Sequence, residues 1–565
     1  QNKCILKKAY FFITFLVVSI TFSYAQEKKK IIIENSDFID MNQTEIPGAI
    51  VFTGNVRVLH NGVKINCNKA YHFKDEEYIK AFGNVQINQG DTIFLNSRYA
   101  EYDAKIELAY ATGEVSMRSP ESTLVTDTVY FDKKNQQASY NSFGIIHNKE
   151  NTLKSKSGRY YVDQKKYKFT TAVTVTNPQS TIKTNHLDFY ENSGHAYVFG
   201  PSTITSKENV IYTENGFYDT TNDVGKLTKN SKITYDNKII TGDDLYYDRK
   251  KNYSRGINNV KITDTVNKVI ATGHFAELYR NIETKKDSII LTKKALVKTL
   301  VEKDTMFMHG KKIIVSGPKE NRIIRAFNNV RFYKTDMSGK CDSLHSSKKN
   351  ELTQLIGKPI LWNKDNQMTG DVMHLIGNNK TEQLDSLKVL NNAFIIQKDS
   401  LSLNGYNQIK GQNLYGKFID QKLREVDIIK NAESIYYIYN DKNEFVGIRK
   451  SVCSRINAEM IDNKIETMTG FNNAESNIYP EDEFPENARK LRGFVWRGDE
   501  RILTKEDIFP AEELALDEKA KSESKKKASK AEKPMEILKE TLEYDKKNPK
   551  PKDTTVKPVK SEKVK

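Results

Sequence analysis

The phrase Gly54-Asn55-Val56-Arg57-Val58 returns as Gly83-Asn84-Val85-Gln86-Ile87 and as Gly113-Glu114-Val115-Ser116-Met117. A unit of about 30 residues cannot bury a core alone, so repetition at this period forces the chain to stack copy on copy. With the third residue of the phrase as marker, Val56, Val85 and Val115 are followed by Ile146, Val173, Thr203, Ile233, Val260, Val330, Pro359, Ala393, Ala432 and Ala474. The long gap before Val330 predicts one more copy near Ala295. A second marker, an aromatic or aliphatic residue before Asp, keeps step with the first: Tyr102-Asp103, Phe131-Asp132, Val162-Asp163, Tyr218-Asp219, Tyr247-Asp248 and Ile461-Asp462.

Clusters rich in Pro, Gly, Asn and Asp, such as Asp132-Lys133-Lys134-Asn135 and Asn177-Pro178-Gln179-Ser180, fall between the markers. These residues preset or tolerate turn dihedrals, and the intervening Val, Ile, Thr, Tyr and Phe suit a pleated surface with one buried face. The expected fold is all-β, an elongated solenoid-like meander of long antiparallel strands. A parallel β-helix with one copy per coil is the competing geometry. In the third copy the apolar residues run through Ile106, Leu108 and Tyr110, then through Val115 and Met117. This predicts a change of parity at Gly113 and a glycine kink or bulge there. Tyr167, Phe169, Val173 and Val175 keep one parity.

Lys7 and Lys8, the apolar run from Ala9 to Phe22, and Ser23-Tyr24-Ala25 follow the order of a secretory signal peptide, predicting cleavage after Ala25. The run is short for a membrane span, although a retained anchor is the alternative. Domain boundaries follow: 1–25 signal peptide, 31–480 repeats, 481–510 a segment that caps the last repeat or binds a partner, and 511–565 a disordered Lys-rich tail. The formal charge of +16 invites a nucleic-acid reading. Export and the lack of any helix-turn-helix, zinc-finger or RRM motif oppose it and point to an anionic lipid, polysaccharide or membrane surface.

Little speaks for catalysis. The nine histidines are scattered, and HExxH, GxSxG, Walker and GxGxxG motifs are missing. The carboxylates Asp75-Glu76-Glu77 and Asp243-Asp244 read as solvated turn residues. Cys67, Cys341 and Cys453 form no CxxC pair, and separation by many repeats predicts isolated small hydrophobes. No metal site and no cofactor is expected.

The phrase Gly-Asn-Val-x-(Val/Ile), followed by a strand ending Ala70-Tyr71-His72-Phe73 or Ala100-Glu101-Tyr102-Asp103, resembles the OstA-like family, which includes the lipopolysaccharide-transport protein LptA and the periplasmic domain of LptD. The best copies are Gly54 to Phe73, Gly83 to Asp103 and Gly113 to Asp132. The resemblance implies a folded-over meander, a β-jellyroll or β-taco, whose apolar groove shields the acyl chains of lipopolysaccharide. Val56, Val58, Val85, Ile87, Val115, Met117, Val173, Val175, Val260 and Ile262 would line that groove. It further implies a periplasmic bridge, associated or not with the outer membrane, whose partners are the lipid A acyl chains. Inner- and outer-membrane transport proteins would join by end-to-end strand pairing, with self-association left open. The alternatives are a β-solenoid adhesin or scaffold with a sealed core and, third, a polysaccharide lyase-like β-helix. Unlike LptD, the chain shows no membrane-barrel half after the repeats.

Overall fold

The computed structural model describes residues 30–530 apart from 42–43, 282, 285, 302–303, 379, 382, 403, 421 and 462–463. The predicted signal peptide and the end of the Lys-rich tail lie outside the described residues. Two compact units are present: the described residues of Gln1–Ala295 with Ile314–Ile324, and of Leu296–Ile313 with Arg325–Lys565.

The first unit is an antiparallel meander. It opens with β1 (Ile32–Asn35) and β2 (Phe38–Asp40), both paired with β3 (Ile50–His60), and proceeds through β4 (Val63–Phe73), β5 (Tyr78–Gln89), β6 (Ile93–Asp103), β7 (Leu108–Arg118) and β8 (Ser122–Asp132). From β3 to β8 each strand pairs antiparallel with the next, and antiparallel pairing continues through strands interrupted at the corner, such as Gln137–Tyr140 and Gly144–Asn148, both paired with β8, to Tyr253–Asp264 and Val269–Tyr279. Antiparallel pairing overturns the parallel β-helix geometry.

The repeated phrase is a bulge. Thr53 pairs with Lys69 and Val56 with Cys67, so Gly54 and Asn55 stand opposite Asn68 alone. Both take left-handed dihedrals, with φ of 78° and 45°, a region Gly enters freely and Asn tolerates. Left-handed pairs recur at Gly83-Asn84, Gly113-Glu114, Thr171-Ala172, Asn258-Asn259, Asn328-Asn329, Asn391-Asn392, Lys430-Asn431 and Asn472-Asn473, and the copy expected near Ala295 has its pair at Lys293-Lys294. Such a bulge bends the strand and leaves two leaves, one on either side of the corner.

The parity change expected at Gly113 falls on the other strand of each pair. Two residues inserted into a strand leave its parity intact, so Ala111, Val115 and Met117 all point inward, while Ile106 and Leu108 are 55% and 41% exposed. The single residue opposite the bulge shifts its own strand, where the inward set passes from Val63, Ile65 and Cys67 to Ala70 and His72.

In the second unit the meander runs from Met337–Ser347 to Glu475–Tyr479. Here Ala393, Phe394, Ile395 and Ile396 are all buried, which a strand with one solvated face would not allow. The cover on the outer face is the segment 481–510. Phe484 and Leu491 pack with Phe394, Ile396, Ile435, Tyr437 and Ile448, and Ile502 and Ile508 pack with Leu296. The segment expected to cap the last repeat or bind a partner lies as a strap across strands that are apolar on both faces. Within the stretch expected as a disordered tail, a helix spans Ala511–Lys530, and residues 531–565 lie outside the described residues. A composition too poor to build a core is still rich in Ala, Glu, Leu and Lys, the strongest helix formers, with Glu512 and Glu513 in the first turn. Glu513 stands 3.4 Å from the buried His309, whose ring meets Phe509 edge-on.

Candidate functional site

All ten residues named from the sequence are buried on the inward face of the first unit, and strand register sorts them into two rows. Val58 pairs with Ile65, Ile65 with Ile87, Ile87 with Leu95, Leu95 with Met117 and Met117 with Leu124. The ladder continues through Ile146, Leu153, Val175, Ile182, Ile204, Ile211, Ile233 and Ile240 to Ile262 and Ala271. One aliphatic side chain per strand therefore forms an unbroken stripe, of which the sequence identified Val58, Ile87, Met117, Val175 and Ile262. Val56, Val85, Val115, Val173 and Val260 form a second row at the corner, each opposite a small residue: Cys67, Ser97, Thr126, Thr184 and Gly273.

The facing leaf is built differently. Ala70, Ala81, Ala100 and Ala111 pair in succession and reach Val129, giving a shallow wall opposite the first part of the aliphatic stripe. Farther along, Tyr160, Tyr167, Phe189, Tyr218 and Tyr247 fill the same leaf, all buried. The alanine row was in view in the sequence, at the head of the phrases beginning Ala70 and Ala100. Its pairing could be read only once the register was known.

Polar side chains close the free tips of the leaves on each other. His60 Nδ1 lies 2.7 Å from the Tyr102 hydroxyl, Asn61 Nδ2 donates to Glu107 at 3.0 Å, and Gln89 Nε2 donates to Gln136 at 3.1 Å. The buried Glu191 accepts from Ser119 Oγ at 2.7 Å and from the Tyr160 hydroxyl at 2.6 Å. The Tyr218 hydroxyl bonds Ser180 at 3.1 Å and donates to Asp223 at 2.7 Å. Burial pushes its phenol up to about 12, and the Asp223 carboxylate pushes the same way, so these hydroxyls stay protonated donors.

Behind this seam the interior is tight. Between Val63, Ile65, Leu95 and Met117 on one leaf and Ala109, Ala111 and Phe131 on the other, the void is about 20 Å³, little more than one water needs. At the seam between residues 207 and 322 a cavity of about 770 Å³ opens, with Ile262, Val269, Ala271, Ile289 and Val315 in its wall and Lys238, Arg280 and Arg322 at its rim.

No group of three or more His, Cys, Asp or Glu is placed among the described residues to hold a metal ion. Asp75, Glu76 and Glu77 lie in a turn. Cys67, Cys341 and Cys453 are free and buried. No helix among the described residues is long and apolar enough to cross a membrane.

Residues 28–185 match the family model described as OstA-like protein, which bears out the resemblance carried by the first copies of the repeat. No curated protein matches the chain. Sixteen chains of solved structures match. They include LptH of Pseudomonas aeruginosa, described as the LptA-homologous periplasmic component of the lipopolysaccharide transport device. It is 13% identical over 26% of this chain and 99% of that one, with a TM-score of 0.20.

Proposed function

We propose, on the premise that residues 28–185 are an OstA-like segment, that the protein is a periplasmic carrier for the acyl chains of lipopolysaccharide on their way to the outer membrane. The observation that carries the reading is the aliphatic stripe from Val58 to Ile262, unbroken strand after strand and faced at first by alanines. An acyl chain gains about 0.8 kcal/mol per methylene removed from water, so a continuous stripe binds strongly without any reaction. Like residues at every step also keep affinity nearly constant along the way, which lets a chain slide instead of lodging.

The outer strand edges of the described residues suit assembly with further β proteins. β1 and β2 present Ile32, Phe38 and Ile39 to solvent, and the strand Glu475–Tyr479 presents Ile478. Exposed apolar edges are templates for strand pairing, and inner- and outer-membrane transport proteins are the proposed occupants.

The tight interior between Ile65 and Met117 favours a second reading, a scaffold with a sealed core. Photocrosslinking in cells separates the two. With the photoreactive residue at Val85, Val115 or Val260, the carrier reading expects lipopolysaccharide adducts at all three sites. A folded protein that yields none at any of them is a sealed scaffold.

A further inference from the structure

Along most of the first unit the leaf tips are held by hydrogen bonds, but between residues 207 and 322 the contacts become ion pairs. Arg280 Nη1 lies 3.3 Å from Glu208 Oε2, Lys238 Nζ 2.9 Å from Asp287 Oδ2, and Arg322 Nη2 3.6 Å from Asp264 Oδ2. Arg280 and Lys238 both stack over Tyr235, whose hydroxyl donates to Asp287 at 3.2 Å. Behind these pairs lies the cavity of about 770 Å³, within the range of about 300–1,000 Å³ that holds small ligands. Its apolar wall continues the aliphatic stripe, because Ile262 pairs with Ala271 in the next strand. The opening is thus apolar inside and charged at the lip. Three bases at that lip are each matched by an acid, so the leaves can be parted by exchanging partners with water or with a polar head group, without exposing an unbalanced charge. Arg322 Nε, buried at the rim, makes no hydrogen bond.

We propose that this opening is a side port: the acyl chain of an amphiphile passes into the groove here, its head group stays at the charged lip, and the three ion pairs are the latch that parts. The inference rests on the carrier reading and adds where the lateral gate lies.

The test joins the lip shut. In the full chain, the pair Lys238→Cys/Asp287→Cys is bridged by a short bis-maleimide, and uptake of dansyl-undecanoic acid is followed by fluorescence before and after bridging. Glu208→Cys/Arg280→Cys is a second pair across the same lip, in case the first does not fold. Asn61→Cys/Glu107→Cys is bridged as the remote comparison. The port predicts that bridging slows uptake at least tenfold at the lip and leaves the rate unchanged at residues 61 and 107. Uptake untouched by the lip bridge, or slowed equally by the remote one, overturns the port and leaves the carrier reading standing. Failure of the unbridged parent protein to take up the probe overturns both.

Discussion

The strap across the second unit hangs on two glutamines, and removing their amides should release it while the meander beneath survives. Gln408 Nε2 donates to the Arg489 carbonyl at 2.7 Å while its Oε1 accepts from the Leu491 amide at 2.9 Å. Gln367 repeats the arrangement with the Val495 carbonyl and the Arg497 amide, both at 2.7 Å. Each side chain imitates a strand's backbone and is at most 1% exposed. Gln408→Leu keeps the volume but leaves one N–H and one C=O of the strap without partners. At about 1–3 kcal/mol per buried orphaned group, the substitution weakens the strap by about 3 kcal/mol or more. That is about a hundredfold increase in local opening. Native-state hydrogen exchange should therefore show the Leu491 amide about a hundredfold faster, with the amides of Ile395 and Ile409 unchanged, and trypsin should cut near Lys490 and Arg492 first. An unaltered Leu491 exchange rate in the folded variant would refute the hydrogen-bond argument at Gln408, leaving this part of the strap to be held by its apolar contacts.

Three further outcomes can be checked. At the bulge, Gly113 has φ of 82° and a Cβ there would stand 3.0 Å from Arg98 Cβ, yet the equivalent position holds Asn258, Asn328 and Asn391 in other copies. Gly113→Asn should cost well under 1 kcal/mol in urea denaturation and Gly113→Val about 2 kcal/mol; equal losses would remove the left-handed backbone as the cause. Burial pushes the Cys67 thiol up to about 11 and that of Cys341 up to about 12. A thiol reagent at pH 8 should therefore label neither until urea unfolds the protein, and prompt labelling of the native state would contradict the buried placement. Glu500 is held down at about 2, chiefly by its hydrogen bonds from Arg497 and further by Lys340. A depressed carboxylate contributes stability above its unfolded value that is lost as pH falls toward 2. The Glu500 carboxylate is 44% exposed, so Glu500→Gln should remove no more than about 1 kcal/mol of acid sensitivity below pH 4.5 in strap exchange.

What the sequence made legible was whatever repeats locally. The Gly-Asn pair announced the bulge because left-handed backbone selects those residues, and the period located a copy at Lys293-Lys294 that has neither Gly nor Asn. The marker valines were readable as inward because burial of one strand face leaves a pattern of two. Parity across the corner was not readable, since it depends on how many residues the partner strand places opposite the bulge. The seam was hidden for a different reason. Ser119 and Glu191 are 72 residues apart, and no local pattern tells two leaves where to meet. The strap left a signal that was missed, the continuous apolar run Ala393-Phe394-Ile395-Ile396, which a half-solvated strand cannot carry.

The division of labour between the leaves bears on how such a groove could work. The aliphatic stripe is nearly constant from Val58 to Ile262, so it cannot set the width of the interior. The facing leaf does, in two rows: alanines at 70, 81, 100 and 111 nearer the corner, and Ile79, Tyr102, Phe131, Tyr160, Tyr167, Phe189, Tyr218 and Tyr247 nearer the tips. Beside the alanines the large side chains are confined to the tip row, where Ile79, Tyr102 and Phe131 are buried. Where the wall is aromatic, rings must move, and the hydroxyls of Tyr167 and Tyr218 are tied to Ser122 and Ser180 on the opposite leaf. Those tethers have to break before the rings can move. On the carrier reading, room for an acyl chain has to be made beside the alanines, where the void is about 20 Å³, and is already present between residues 207 and 322.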